Sequence, residues 1–98
     1  MEPTTQPLNS IVLLEGFKFD INEVLYLDLV LENEDEVDAP YTLTLVFPNA
    51  KFEVYLDDEE DVLIVVRYIN AKSTKPLEFQ VVSGLPLETL ESTGVTVL

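Results

Sequence analysis

Residues 25–31 read Leu-Tyr-Leu-Asp-Leu-Val-Leu, and every second residue in this stretch is a leucine. Such alternation is typical of a β-strand, because successive side chains of a strand point to opposite faces. One face of this strand then carries only leucine, whereas the other carries Tyr26, Asp28 and Val30. The stretch therefore predicts a strand whose leucine face lies in a hydrophobic core.

The same period of two recurs along most of the chain. Apolar residues alternate with other residues in 17–21, 41–47, 51–56 and 77–82, and a short apolar run closes the chain at 95–98. Two further runs, 11–14 and 62–69, are apolar on both faces, and we interpret them as strands that are covered on both sides or contact a partner. No stretch has a convincing period of 3.6 residues, and only 85–90 suggests one helical turn.

About seven short strands separated by turn signals predict an all-β fold, a single Ig-like β-sandwich of antiparallel strands. We place this sandwich at residues 10–98 and interpret residues 1–9, which include Pro3 and Pro7, as a flexible N-terminal segment. The expected core residues are Leu25, Leu27, Leu29, Leu43, Leu45, Phe47, Phe52, Val54, Val62, Ile64, Val66, Phe79 and Val81.

The region around the first predicted turn resembles a known group of modules. A strand ends in Leu31-Glu32-Asn33-Glu34-Asp35, a turn follows with Asp38-Ala39-Pro40, and an alternating strand begins at Tyr41. This pattern resembles Ig-like, CARDB-like adhesion modules of archaea and bacteria. The resemblance implies a β-sandwich with a structural or adhesive role, and it assigns no functional residue.

The composition excludes several kinds of chemistry. The 98 residues contain 19 Asp+Glu, 5 Lys+Arg and no His, Cys or Trp, so the net charge is −14. Imidazole bases, thiolate nucleophiles and His or Cys metal sites are therefore excluded, and we expect no enzyme. The strong negative charge also argues against direct binding of nucleic acid, which requires clustered Lys and Arg.

The acidic residues are concentrated in two windows. One window holds Glu32, Glu34, Asp35, Glu36 and Asp38, and the other is the continuous run Asp57, Asp58, Glu59, Glu60 and Asp61. In a sandwich of strands that alternate in direction, the connections that contain these windows meet at one end. We therefore predict one strongly acidic pole.

Four interpretations of this pole remain open. The acids solvate an apolar fold, form a docking surface for a basic partner, bind Ca²⁺, or mimic DNA. Calcium takes about 6–8 oxygen ligands, and the weak metal candidates are Glu34, Asp35, Asp38, Asp57, Asp58 and Asp61. The spacing lacks the EF-hand pattern, and we expect no other cofactor.

The predicted function is a non-catalytic structural or protein-interaction module with one strongly acidic pole. The alternative is a soluble acidic effector that inhibits or binds a basic-surfaced protein, with a DNA mimic or a Ca²⁺-binding module as variants. We expect a protein partner or self-association, and the candidate interaction residues are Leu63, Val65, Glu36, Glu59 and Glu60.

The N-terminus gives an expectation for location. Residues 1–9 lack the basic and apolar regions of a secretory signal, and no apolar run approaches the roughly 20 residues of a membrane span. We therefore expect no membrane span and, by default, a cytoplasmic protein, or else a fragment of a surface protein.

Overall fold

The computed structural model describes residues 9–32 and 38–98, which form mainly β-strands in two sheets. The all-β prediction is confirmed only in its coarser part, because the described residues are mainly β but also form helices. The strands are β1 (Ile11–Leu14), β2 (Phe17–Asp20), β3 (Tyr26–Leu31), β4 (Tyr41–Val46), β5 (Lys51–Leu56), β6 (Glu78–Val82) and β7 (Thr96–Val97). The helices are α1 (Glu59–Lys72) and α2 (Leu87–Glu91), and a short 3₁₀ turn (Ile21–Glu23) precedes β3.

The leucine-rich strand β3 lies in the middle of the larger sheet. Strands β1 and β2 form a separate antiparallel hairpin, and the other five strands are ordered β5-β4-β3-β6-β7. The register sets Leu27 opposite Leu45 and Leu29 opposite Leu43, so the apolar faces of β3 and β4 coincide. This pairing follows from the alternation in the sequence, because a shift of one residue would move the leucines of one strand to the other face.

The core lies on one side of this sheet. The buried side chains of β3, β4 and β5 form one cluster with residues from the hairpin, from α1 and from α2. These elements therefore cover the leucine face of the sheet. None of the helices in the described part of the chain has the length and apolar character that a membrane crossing requires.

The prediction of a strand at residues 62–69 is wrong, because this segment belongs to α1. The side chain of Asp58 accepts a hydrogen bond from the amide of Asp61 at 2.9 Å and so caps the helix. The acids of the first turn and Lys72 in the last turn both suit the helix dipole. Val62, Val66 and Ile69 are buried at the spacing of one helix face.

The prediction of antiparallel strands throughout is wrong for two pairs. Strand β6 pairs with β3 in parallel, and β7 pairs with β6 in parallel. Parallel neighbours need a long crossover connection, and α1 and α2 supply these two connections. An Ig-like sandwich is therefore not confirmed, and the larger sheet is covered by helices and the hairpin.

Three expected core residues are exposed. Leu25 is 57% exposed because it lies just before β3 begins at Tyr26, although the alternation of leucines already includes it. Val81 is 50% exposed because the register between β3 and β6 shifts at Leu27/Asp28, which turns Val81 away from the core. Ile64 is 56% exposed on the solvent side of α1.

Candidate functional site

The side of the larger sheet opposite the helices carries the strongest candidate site. The buried residues of α1, α2 and the hairpin all belong to the core cluster on the leucine side, and we call the opposite side of the sheet the uncovered face. Its side chains alternate with those of the core and are mostly half-buried or exposed. They are Tyr26, Asp28 and Val30 on β3, Thr42, Thr44 and Val46 on β4, Lys51, Glu53 and Tyr55 on β5, and Val81 on β6.

A shallow groove of about 390 Å³ crosses the uncovered face. Its lining residues are Val30, Glu32, Ala39, Thr42, Thr44, Glu53 and Tyr55. The lining combines valine, alanine, threonine methyl groups and an aromatic ring with two carboxylates, and it contains no Lys or Arg. Such a surface suits a ligand that has both apolar and cationic groups.

Tyr55 and Glu53 form the most defined polar contact of this groove. The Tyr55 hydroxyl donates a hydrogen bond to Oε1 of Glu53 at 2.7 Å. This hydrogen bond and the nearby negative charge raise the pKa of Tyr55 above its ordinary value of 10.0. The Glu53 carboxylate thus favours the protonated form of the phenol.

Strand β5 forms one edge of the larger sheet. It pairs with β4 on one side, and no other described strand pairs with its second side. The connection to β4 is a tight hairpin, in which the amide of Phe47 donates to the carbonyl oxygen of Ala50 at 2.8 Å. The groove therefore ends at a sheet edge.

Seven of the acidic residues outside the strands lie at one end of the sheet. Strands β3 and β5 are both antiparallel to β4, so their last residues, Leu31 and Leu56, lie at the same end. Residues 32, 38 and 57–61 follow or precede these strand ends and contribute seven carboxylates and no Lys or Arg. We call these residues the acidic end. Helix α1 starts there, and Lys72 closes it at the opposite end.

The predicted metal ligands are not brought together in the described residues. Asp58 accepts a hydrogen bond from the Asp61 amide, and Asp57 precedes this cap. No group of three acidic side chains in residues 9–32 and 38–98 is placed to hold a metal ion. Glu34 and Asp35, together with the predicted interaction residue Glu36, lie outside the described residues.

The predicted interaction residues of the 62–69 segment are positioned by α1. Leu63 and Val65 are half-buried, and Val65 packs against the core. Glu59 and Glu60 are exposed in the first turn of the helix. Val65 therefore contributes to the core, whereas the side chains of Glu59 and Glu60 are accessible to a partner.

The groove residues were not predicted as a site. Alternation along residues 25–31, 41–47 and 51–56 does indicate which side chains face away from the core. It does not indicate that the outward side lacks a second layer, because that depends on where α1 and the hairpin pack. The observable signal is the threonine-rich outward row of β4 beside the aromatic residue of β5.

No charged side chain in the described residues is buried, and the hydroxyl of the buried Tyr41 donates a hydrogen bond to the carbonyl oxygen of Gly84 at 3.2 Å. The chain matches no protein-family model, no curated protein and no solved structure. The uncovered face and the acidic end are therefore interpreted from their own geometry.

Proposed function

We propose that the chain is a non-catalytic protein-interaction module that binds a cationic segment of another protein. The observation that carries this proposal is the groove on the uncovered face. Its apolar and aromatic lining is flanked by Glu32 and Glu53 and contains no basic residue. Such a groove favours a partner that presents Lys or Arg beside apolar side chains.

Charge favours this partner over a second copy of the chain. Each copy carries a net charge of −14, so two copies repel each other at close approach. A cationic partner is instead attracted, and the acidic end increases its rate of encounter. Exposed Glu59 and Glu60 belong to this steering surface in the proposal.

The proposed contact surface differs from the one expected from the sequence. Val65 packs against the core and Leu63 is half-buried on α1, which leaves them little free surface. The groove on β4 and β5 is instead open to solvent and has a volume of about 390 Å³. The adhesive role that the CARDB-like resemblance implies agrees with non-catalytic binding and stays part of this proposal. An effector that inhibits its partner would use the same contact.

Matched charge reversals test the proposal. The probe is a short fluorescent peptide in which lysine alternates with valine, and fluorescence anisotropy measures its binding. The groove variant is Glu32→Lys with Glu53→Lys, and the control is Glu88→Lys with Glu91→Lys on α2. Both variants change the net charge equally, so they separate a local effect from the charge of the whole chain.

We expect the groove variant to weaken binding by about tenfold or more, because two favourable contacts become repulsive. The control should weaken it by a smaller factor. Equal losses in the two variants would assign binding to overall charge and contradict a site on the uncovered face. Failure of the wild-type chain to bind the peptide at low salt would contradict the proposed function itself.

A further inference from the structure

We propose that the cationic segment binds as an added β-strand along the free edge of β5. This inference rests on the proposed function and specifies how the partner is held. The added strand would extend the larger sheet beyond β5, and its backbone would supply much of the binding free energy. The side chains of β5 would supply the preference for a partner strand with positive charge.

The alternating hydrogen bonds between β4 and β5 show which backbone groups of β5 face the sheet edge. In an antiparallel pair, hydrogen-bonded and non-hydrogen-bonded residue pairs alternate. The Phe47 amide bonds to the Ala50 carbonyl, so the next bonded residue of β5 is Phe52, opposite Leu45. Backbone groups of Phe52, Val54 and Leu56 therefore face β4, and those of Lys51, Glu53 and Tyr55 face outward.

This edge is long and regular enough to receive a strand. Strand β5 has six residues, and its register with β4 runs without a shift from Lys51 to Leu56. Strand β7, at the other edge, has only two residues. Natural edge strands avoid unwanted pairing through proline, bulges or charged side chains. Strand β5 has neither proline nor a bulge, so its charges are the remaining protection.

The charges along this edge select a cationic strand. Glu53 lies in the middle of the strand, and the acidic run 57–61 follows its last residue directly. Self-pairing centred on Glu53 would set two Glu53 side chains opposite each other, whereas self-pairing centred on Phe52 would set Lys51 opposite Glu53. Cross-strand pairs of like charge are destabilising, whereas Lys or Arg opposite Glu53 is stabilising. The acidic run beside this edge and the net charge of −14 therefore oppose a second copy and attract a basic partner.

The two sides of β5 define the pattern of the added strand. Residues of the partner on the uncovered side would lie beside Glu53 and Tyr55, where basic side chains are favoured. Residues on the opposite side would lie near Phe52, whose ring packs 4.5 Å from that of Phe17. Phe17 is itself exposed, so apolar side chains are favoured there. The inferred ligand is an extended segment that alternates basic and apolar residues.

A proline substitution tests the edge without removing the groove. Tyr55→Pro deletes an outward N–H and places a ring at the edge, and it leaves the bonds to β4 intact. Tyr55→Ala is the matched control, because it removes the same aromatic ring and keeps the N–H. With the alternating lysine–valine peptide as probe, we expect Tyr55→Pro to bind at least about tenfold more weakly than Tyr55→Ala.

A measurement on the wild-type chain keeps the inference testable if Tyr55→Pro does not fold. Amide hydrogen exchange should slow at Lys51, Glu53 and Tyr55 when the peptide binds, because these amides enter a new ladder. Polylysine serves as a second probe for charge-driven binding.

The possible results separate the two proposals. If the wild-type chain binds both probes but Tyr55→Pro equals Tyr55→Ala and exchange is unchanged, the added strand is wrong and the proposed function stands. If the wild-type chain binds neither probe, both proposals fail. If the wild-type chain dimerises and Tyr55→Pro makes it monomeric, the edge belongs to a second copy and the cationic strand is wrong.

Discussion

The two faces of the larger sheet are built from the same strands and differ in almost every property. On the covered face, Leu27, Leu29, Leu43 and Leu45 are fully buried beneath the helices and the hairpin. On the uncovered face, the alternate positions are occupied by threonine, valine, charged and aromatic residues. Burial therefore constrains one half of each strand, and the other half is free to serve recognition.

The largest expected effect is a loss of stability when a leucine of the covered face is replaced. Leu29→Ala or Leu43→Ala should lower the free energy of unfolding by about 2–5 kcal/mol, because each leaves a cavity under α1. Urea denaturation monitored by circular dichroism measures this loss. Losses below about 1 kcal/mol in both variants would mean that the leucine face is not the core.

The next effect tests the helix that covers the leucine face. Asp58→Ala removes the side chain that caps α1 and should destabilise the chain by about 0.5–2 kcal/mol. Asp57→Ala is the matched control, since Asp57 is adjacent and exposed, and it should change stability by less than about 0.5 kcal/mol. Thermal unfolding of the two variants measures this difference. Equal melting temperatures would show that the Asp58 side chain does not cap α1.

A substitution on the uncovered face should change stability less than one in the core. It should nevertheless change the affinity for the peptide. Thr44→Lys should change the free energy of unfolding by less than about 0.5 kcal/mol, because no described element packs over Thr44. It should nevertheless weaken binding of the lysine–valine peptide, because it adds a positive charge to the groove. Ile64→Lys, an equal charge change on exposed α1, should leave binding nearly unchanged. Equal weakening by both would argue against a localised site.

The smallest effect concerns the ionisation of Tyr55. Its pKa is raised above 10.0 by the hydrogen bond to Glu53 and by the charge of that carboxylate. The folded state thus favours the protonated phenol, so this contribution to stability is present below pH 10 and is lost as the pH rises through the folded pKa. Glu53→Ala should lower the pKa of Tyr55 towards 10.0, as measured by NMR of labelled tyrosine rings. An unchanged pKa would show that the contact is absent in solution.

The antiparallel strands β3, β4 and β5 could be predicted because their sequences have a strict period of two. In residues 25–31, leucine occupies every second position, and within β3 these leucines face the core, whereas no helix would place them on one face. Residues 62–69 are apolar at almost every position, so periodicity could not distinguish a buried strand from a helix. The acidic sequence Asp58-Glu59-Glu60-Asp61 directly before this run is the capping signal that would have indicated the helix.

The position of the candidate site could not be predicted in the same way. Which strand lies at the edge depends on the crossover of α1, which carries the chain from β5 to the far side of β3. The acidic run also has two roles that the sequence does not separate. The Asp58 carboxylate accepts a hydrogen bond from the Asp61 amide and caps α1, whereas Glu59 and Glu60 are exposed in the first turn of the helix. Charge density in a sequence therefore overstates the number of residues available to a ligand.

The most direct measurement is an NMR titration of the wild-type chain with the alternating lysine–valine peptide. We predict that amide shifts change mainly at Val30, Thr44 and Tyr55 and along the β5 edge. Exposed residues of α1, such as Ile64 and Arg67, should change little. Shifts concentrated on α1, or none at low salt, would contradict recognition of a cationic segment by the uncovered face.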